Sequence, residues 1–337
     1  MERLIDKLTE YLATARGREV NLRDIRAFLK IEAGSKDDTN LRTQMSTTLT
    51  KNKVVKPSGK QDGTYKVLLP ITPITTVTNR NTPALDFRFP RNYGQDEGSF
   101  GFEEFVEIFP GDLILITGRS NYGKTIMALS LMAENLGILK AVVMGSEYTA
   151  SDTELSPKFE RRIKRMTWAN LINDDGTLNF VLLPVGGDYE DYIVPGCSNV
   201  IDWISLNGEY YLIDRVTKQM KDSVGNGVVI AVTQKNKDAE FGEGGERSTR
   251  YVDLELKIDS FGKNESMVTI GKIKSPLKRG TGRTWAFGVT DYGANFCDIR
   301  EIVKCHTCYG SGWMKAGTGK KPCITCDRTG YVNKEVL

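Results

Sequence analysis

Residues 118–125 read Gly-Arg-Ser-Asn-Tyr-Gly-Lys-Thr, matching the phosphate-loop pattern G-x-x-x-x-G-K-[ST] at every fixed position. An apolar run, Leu113 to Thr117 (LILIT), precedes it and a helix-like run, Ile126 to Leu136, follows it. These are the strand and helix that such a loop joins, and they favour it over an ordinary glycine turn. Gly118 and Gly123 let the chain close around an anion. Arg119, Ser120, Asn121 and Tyr122 complete the predicted cradle, with the amides of Asn121 to Thr125 pointing inward at a helix start whose dipole favours negative charge. Lys124 is placed to reach the β and γ phosphates of a nucleotide, and the Thr125 hydroxyl to ligate Mg²⁺.

Outward from the loop, strand and helix patterns alternate, which predicts an α/β fold with a mostly parallel sheet. Ala141 to Gly145 (AVVMG), Asn179 to Val185, Asn199 to Asp202 with its continuation to Leu206, and Val228 to Thr233 are expected strands. A helix from about Glu209 to Ser223 buries Leu212, Val216 and Met220. Glu147 follows the second strand, where a carboxylate can orient or deprotonate an attacking water. Asp202 ends one strand and Gln234 follows another. Tyr210 to Asp214 (YYLID) is a competing strand with Asp214 as its acid. It leaves only about ten residues for the crossover helix, so Asp202 is preferred. Lys235 to Arg250 is glycine-rich and charged, and Tyr251 to Ile258 with Met267 to Ile273 reads as a hairpin.

GRSNYGKT, MGSE with Glu147, VIDWISL with Asp202, VTQKN with Gln234 and IGKIK with Lys272 and Lys274 occur in that order. Together they resemble the RecA and DnaB superfamily of ATPases, particularly the small RecA-like ATPases of phage replication modules, over Val106 to Phe296. The resemblance implies ATP and Mg²⁺ as cofactors, Asp202 as the acid that holds Mg²⁺ through water, and Glu147 as the general base. It implies that Gln234 senses the γ phosphate and couples it to the following loop, where Lys235, Lys237, Arg247 and Arg250 would grip single-stranded DNA. The acids of that loop leave a solvated loop of mixed charge as the competing reading. Lys272 and Lys274 would reach a neighbouring subunit's ATP site in a homo-oligomer, a hexameric ring or filament. The family usually has arginine at the second of these positions, and Lys274 lacks the bidentate fork.

Before the core, Met1 to Thr14 reads as an amphipathic helix, Leu22 to Leu29 as a second helix capped by Asn21, and Thr39 to Lys51 as a third carrying Leu41, Met45 and Leu49. Val54–Val55, turns at Ser58–Gly59 or Asp62–Gly63, and Tyr65 to Leu68 follow, which is the order of a winged helix. Its third helix would present Arg42, Gln44, Ser46, Thr47 and Lys51 to duplex DNA, with Lys53, Lys56 and Lys60 near the wing. Small winged helices also serve as protein-docking modules. After the core, Cys305-x-x-Cys308 and Cys323-x-x-Cys326 lie 14 residues apart, a spacing that favours structural Zn²⁺ over disulfides. CYGSG and CDRTG resemble the zinc knuckles of DnaJ, with Arg328 where the second copy's first glycine should stand. His306 is a bystander in this reading, and Cys197 and Cys297 are inert packing residues.

The 337 residues carry a net charge of +3, distributed as +5 over residues 1–70, −5 over 71–300 and +3 over 301–337. Basic ends are compatible with nucleic-acid contact. No apolar run approaches a membrane span, and a cytoplasmic location is expected. The predicted organisation is a winged helix over 1–70, a linker over 71–100, a RecA-like mostly parallel α/β ATPase core over 101–300 and a zinc ribbon over 301–337. The expected function is a DNA-dependent ATPase, a helicase, loader or recombinase-like motor of a phage or mobile element. The alternative is a sequence-specific DNA-binding regulator or initiator whose ATPase is an assembly switch.

Overall fold

The computed structural model describes residues 3–59, 61–70, 82–94, 98–151, 153–206, 208–235, 242–316 and 319–334. Lys60 and Lys237, both expected nucleic-acid contacts, lie outside the described residues. The chain divides into two compact units, Met1–Arg80 and Asn81–Leu337.

The first unit begins with α1 (Leu4–Thr14), which buries Leu8 and Leu12 one turn apart. Strand β1 (Glu19–Asn21) leads into α2 (Leu22–Leu29), whose first turn is capped by the Asn21 side chain accepting the Asp24 amide at 2.8 Å. Ser35 caps α3 (Lys36–Thr43) in the same way, and the helix runs on through a π-helical turn, Gln44–Thr48, into α4 (Leu49–Lys51). Leu41, Met45 and Leu49 are all buried, so one apolar face persists through the π turn. Strands β2 (Val55–Pro57) and β3 (Thr64–Val67) then complete an antiparallel sheet in the order β1-β3-β2. β1 was not expected from the sequence; at three residues it is too short to show a period.

The second unit is built on one ten-stranded sheet. In chain order its strands are β4 (Leu113–Gly118), β5 (Ala141–Met144), β8 (Val181–Leu183), β9 (Ser198–Ile201), β10 (Val228–Gln234), β11 (Leu254–Phe261), β12 (Glu265–Ile273), β13 (Thr284–Thr290), β14 (Asn295–Lys304) and β17 (Tyr331–Asn333). The helices are α5 (Lys124–Glu134), α6 (Pro157–Arg165) and α7 (Ile213–Ser223), and two small hairpins, β6 (Thr149–Ser151) with β7 (Glu154–Leu155) and β15 (Trp313–Ala316) with β16 (Gly319–Pro322), stand apart from the sheet. Across the sheet the order is β17-β14-β13-β12-β11-β4-β10-β9-β5-β8. β11, β4, β10, β9, β5 and β8 run parallel, and β12, β13, β14 and β17 are antiparallel. Helices cover both faces of the parallel half, so LILIT and VVIAV are continuous apolar runs. Ile114, Ile116, Ile230 and Val232 face the α5 layer, while Leu113, Leu115, Val229 and Ala231 face the α7 layer.

Three sequence expectations change here. β9 ends at Ile201, short of the expected continuation to Leu206, and α7 starts at Ile213 rather than near Glu209, after a single 3₁₀ turn Tyr210–Leu212 that leaves Leu212 only half-buried; Asp214 then lies in the first turn of α7, and the YYLID strand set against the preferred Asp202 does not form. The expected linker divides: residues 71–81 lie outside the described residues, while Phe87, Phe89 and Phe100 are buried in the core with Phe102, Phe287 and Phe296. Burying these rings outweighs the low propensity of the Pro- and Asn-rich stretch around them. The cysteine segment grows out of the sheet, because β14 spans residue 300 and β17 returns to pair with Ile302, Val303 and Lys304. Among the described residues no helix is long and apolar enough to cross a membrane.

Candidate functional site

β4 delivers the chain into the loop beside β11, and Gly118 is required there because a Cβ would collide with the Ile258 carbonyl. Gly123, at φ +96°, caps α5 in the left-handed region that glycine occupies freely, and Asn121 shares that region at φ +69°. The Lys124 ammonium donates to the Arg119 carbonyl at 2.8 Å. Burial pushes this lysine below its ordinary pKa, against the opposing pull of Asp202, Glu147 and Glu243. The Arg119 guanidinium lies 5.2 Å from the Tyr122 ring centre.

Asp202 follows β9 and is 6% exposed. Burial raises its carboxyl above the ordinary range, although Tyr148, Thr125 and Lys124 all favour the charged form. The Tyr148 hydroxyl donates to Asp202 Oδ2 at 2.6 Å. Gly145, at the end of β5, permits this approach, since a Cβ there would strike the Asp202 carbonyl and the Tyr148 ring. Glu147 sits exposed on the 3₁₀ turn Ser146–Tyr148 just after β5. Gln234 ends β10 in register with Gly118, and the Ser120 hydroxyl donates to its Oε1 at 3.4 Å. Lys124, Thr125, Glu147, Asp202 and Gln234 thus gather at the carboxyl ends of β4, β5, β9 and β10. Open α/β sheets bind ligands at such an edge, where successive connections depart to opposite sides. A cavity of about 540 Å³ opens there, lined by Lys124, Thr125 and Glu147 together with Tyr148, Arg162 and Tyr292. A hydroxyl and two carboxylates around one lysine are oxygen donors that suit Mg²⁺.

The remaining expected contacts are dispersed. Lys235 is paired with Asp259 at 2.8 Å and its side chain is 11% exposed, and Arg250 is paired with Asp214 at 3.1 Å. Arg247 is exposed on the 3₁₀ segment Gly245–Thr249. Lys272 donates to the Thr249 carbonyl at 2.6 Å, and Lys274 lies 3.3 Å from Asp253. Both lysines stand at the amino end of β11, about 10–17 Å of strand from the phosphate loop of the same chain. In the first unit Arg42, Ser46 and Thr47 are exposed on α3 and the π turn, Gln44 is half-buried, and Lys51, Lys53 and Lys56 are exposed.

The four cysteines of the C-terminal segment converge. Their Sγ atoms all lie within 4.8 Å of one another and all four residues are buried. Cys305 and Cys323 are 3.9 Å apart and Cys308 and Cys326 3.6 Å apart. Four thiolates about 2.3 Å from a tetrahedral Zn²⁺ would be spaced by about 3.8 Å, so the donor set fits zinc. Cys197 and Cys297 are half-buried and free, and burial pushes the Cys297 thiol up to about 11, consistent with an unreactive sulfur.

Sequence reasoning missed several groups. Nothing in the sequence marks Tyr148 as the donor to Asp202. Glu243, whose amide donates to the Gln234 carbonyl at 2.8 Å and whose carboxyl is raised by burial, is marked in the sequence only as one acid of a charged loop. Lys158 and Arg162 line the cavity one turn apart on α6, and the i,i+4 basic spacing in PKFERRIKR was a signal that could have found them.

No family model matches the chain, and no curated protein sequence matches it. Solved structures with a similar fold include the RadB recombinase (18% identity, 56% of this chain and 91% of that chain, TM-score 0.41). A solved ATPase domain of another protein is similar at 16% identity over 60% of this chain and 91% of that one, with TM-score 0.45. A KaiC-like protein from the hyperthermophilic archaeon Pyrococcus horikoshii is similar at 16% identity over 64% and 99%, with TM-score 0.46. At these scores the likenesses are distant.

Proposed function

We propose that the second unit is a Mg²⁺-dependent ATPase of the RecA and DnaB type, coupled to DNA. The observation that carries this reading is the convergence of Lys124, Thr125, Asp202, Glu147 and Gln234 on the carboxyl edge of four adjacent parallel strands. Loop amides and Lys124 bind the phosphates, Thr125 and, through water, Asp202 would hold Mg²⁺, and Glu147 takes a proton from the attacking water. Mg²⁺ held by these residues would supply positive charge against the charge that develops on the phosphate. Gln234 reads the γ position, and its backbone contact with Glu243 carries that state into residues 242–250.

The finer reading is a helicase, loader or recombinase-like motor of a phage or mobile element, acting in the cytoplasm as a ring or filament. The placement of Lys272 and Lys274 supports assembly: Lys272 is half-buried and Lys274 exposed at the end of the sheet away from this chain's own loop, where another subunit's site would come within reach. The helix order of the first unit supports a winged helix, and the four cysteines support structural Zn²⁺. Arg42, Ser46 and Thr47, exposed on one helix, favour a second reading as a duplex-binding regulator whose ATPase is an assembly switch.

Steady-state ATP hydrolysis with no DNA, single strands or duplex, with subunit number followed in the same buffers, separates the readings. A motor is stimulated by single strands of any sequence and forms a ring or filament. A regulator binds one duplex sequence tightly and ignores single strands. Absence of hydrolysis in every arm would overturn both.

A further inference from the structure

The two cysteine loops are near copies. Cys305-His-Thr-Cys-Tyr-Gly-Ser-Gly-Trp313 aligns with Cys323-Ile-Thr-Cys-Asp-Arg-Thr-Gly-Tyr331. Their contacts repeat as well. The Cys305 amide donates to the Gly330 carbonyl at 2.8 Å and the Cys323 amide to the Gly312 carbonyl at 3.0 Å. The Gly312 amide donates to Cys308 Sγ and the Gly330 amide to Cys326 Sγ, both at 3.3 Å. The hydroxyls of Thr307 and Thr325, equivalent positions, bond each other at 3.0 Å.

The copies part at a position in the left-handed region, which glycine adopts most easily. Gly310 adopts φ +88°; its counterpart is Arg328, at φ +67°. An L side chain is penalised in that region, and glycine would remove the penalty. The arginine is nevertheless there, and its guanidinium lies 4.7 Å from the Trp313 ring centre. Trp313 opens β15, and the pairings Trp313↔Pro322 and Lys315↔Lys320 put Trp313, Lys315 and Lys320 on one face of the hairpin, while Met314 packs on the cysteines. Like charges directly opposite each other repel. Among the described residues neither lysine has an acidic partner, and Asp327 is the only acid between Lys304 and Lys334. Trp313 is 39% exposed.

An exposed indole carrying an arginine, beside two facing lysines with no acidic partner among the described residues, is a face rationalised by an anionic, π-faced ligand. We propose that this face of the cysteine module binds single-stranded nucleic acid, with a base stacking on the Trp313–Arg328 pair and the backbone phosphates meeting Lys315 and Lys320. An acidic peptide would satisfy the lysines but leave the stacked pair unused. The site is distinct from the phosphate loop and from residues 242–250, and it does not depend on the ATPase reading.

The test uses the full chain in its zinc-loaded form, without nucleotide, and fluorescence anisotropy of labelled oligo(dT) and oligo(U) of about 20 nucleotides. Arg328→Gly restores the repeated glycine, so it is expected to keep one zinc per chain and melt no lower than the parent while binding oligonucleotide about five- to tenfold more weakly. Lys315→Ala with Lys320→Ala is expected to flatten the dependence of log K on log salt by about 1.4, from two lost phosphate contacts. Preference between the two oligonucleotides identifies the natural strand as DNA or RNA, and either supports the site. Unchanged affinity in Arg328→Gly, an unchanged salt slope in the double variant, or displacement by poly-glutamate as effective as by unlabelled strand would each overturn the proposal.

Discussion

Asp202 has one oxygen on the Tyr148 hydroxyl and lies beside Lys124, yet burial dominates and holds its carboxyl above the ordinary range. A carboxyl whose native pKa is raised binds its proton more tightly folded than unfolded. The nucleotide-free protein therefore loses stability as pH rises from the ordinary aspartate range through the raised value. We expect Asp202→Asn to remove this loss and melt higher than the parent at pH 7, by about 2–4 °C, while abolishing hydrolysis. Asp214→Asn should keep turnover, because Asp214 sits on α7 against Arg250; differential scanning calorimetry beside a phosphate-release assay reads both. Lys124→Ala should lose the rise in melting temperature that Mg²⁺–ATP gives the parent, and Glu147→Gln should keep that rise with turnover down by about 10²-fold or more. Gly145→Ala should cost about 1–3 kcal/mol in urea unfolding, since the new methyl meets the Asp202 carbonyl. The placement of Lys124 and Thr125 at the start of α5 was legible because the loop's spacing is fixed. Tyr148 was not, because its partner lies 54 residues away and no local period encodes that contact.

At the scale of elements, β4, β10 and α5 were legible from uninterrupted apolar runs, and α2 and its cap from Asn21. β13 and β14 were not, because half-buried antiparallel strands such as Asn295–Lys304 carry mixed polar residues and are stabilised by neighbours distant in sequence. The aromatic residues of 85–100 show the same limit, since burial against β13 and β14 is decided by tertiary contacts. The cysteine segment is the element most dependent on a ligand. Its described apolar contacts beyond the thiols are Met314, Val332 and, against Phe261 and Ile302, Tyr331, too few to order the cysteine loops without metal. Chelation should therefore raise amide exchange throughout residues 305–333 while leaving β4 and β10 protected. Exchange unchanged by chelator would refute a structural metal.

For the whole molecule, the two compact units have separate cores, Leu8 to Val67 in one and the sheet layers in the other. A fragment covering residues 82–337 is expected to keep DNA-independent ATP hydrolysis within about twofold while losing duplex affinity, measured against the full chain at one salt concentration. The sequence places the end of the first domain at residue 70, ahead of a stretch rich in Pro, Thr and Asn, while the compact units divide between Arg80 and Asn81. The attachment of the cysteine segment was not legible, because three residues of β17 give no period of their own. That attachment has a consequence for solubility. β14 would otherwise offer the backbone of Ile302 to Lys304 as an open edge, a template for pairing with another chain. The cysteine segment covers this edge with its own short strand, and on the zinc reading a cell starved of zinc is expected to accumulate protein that sticks to itself before nucleotide binding is lost.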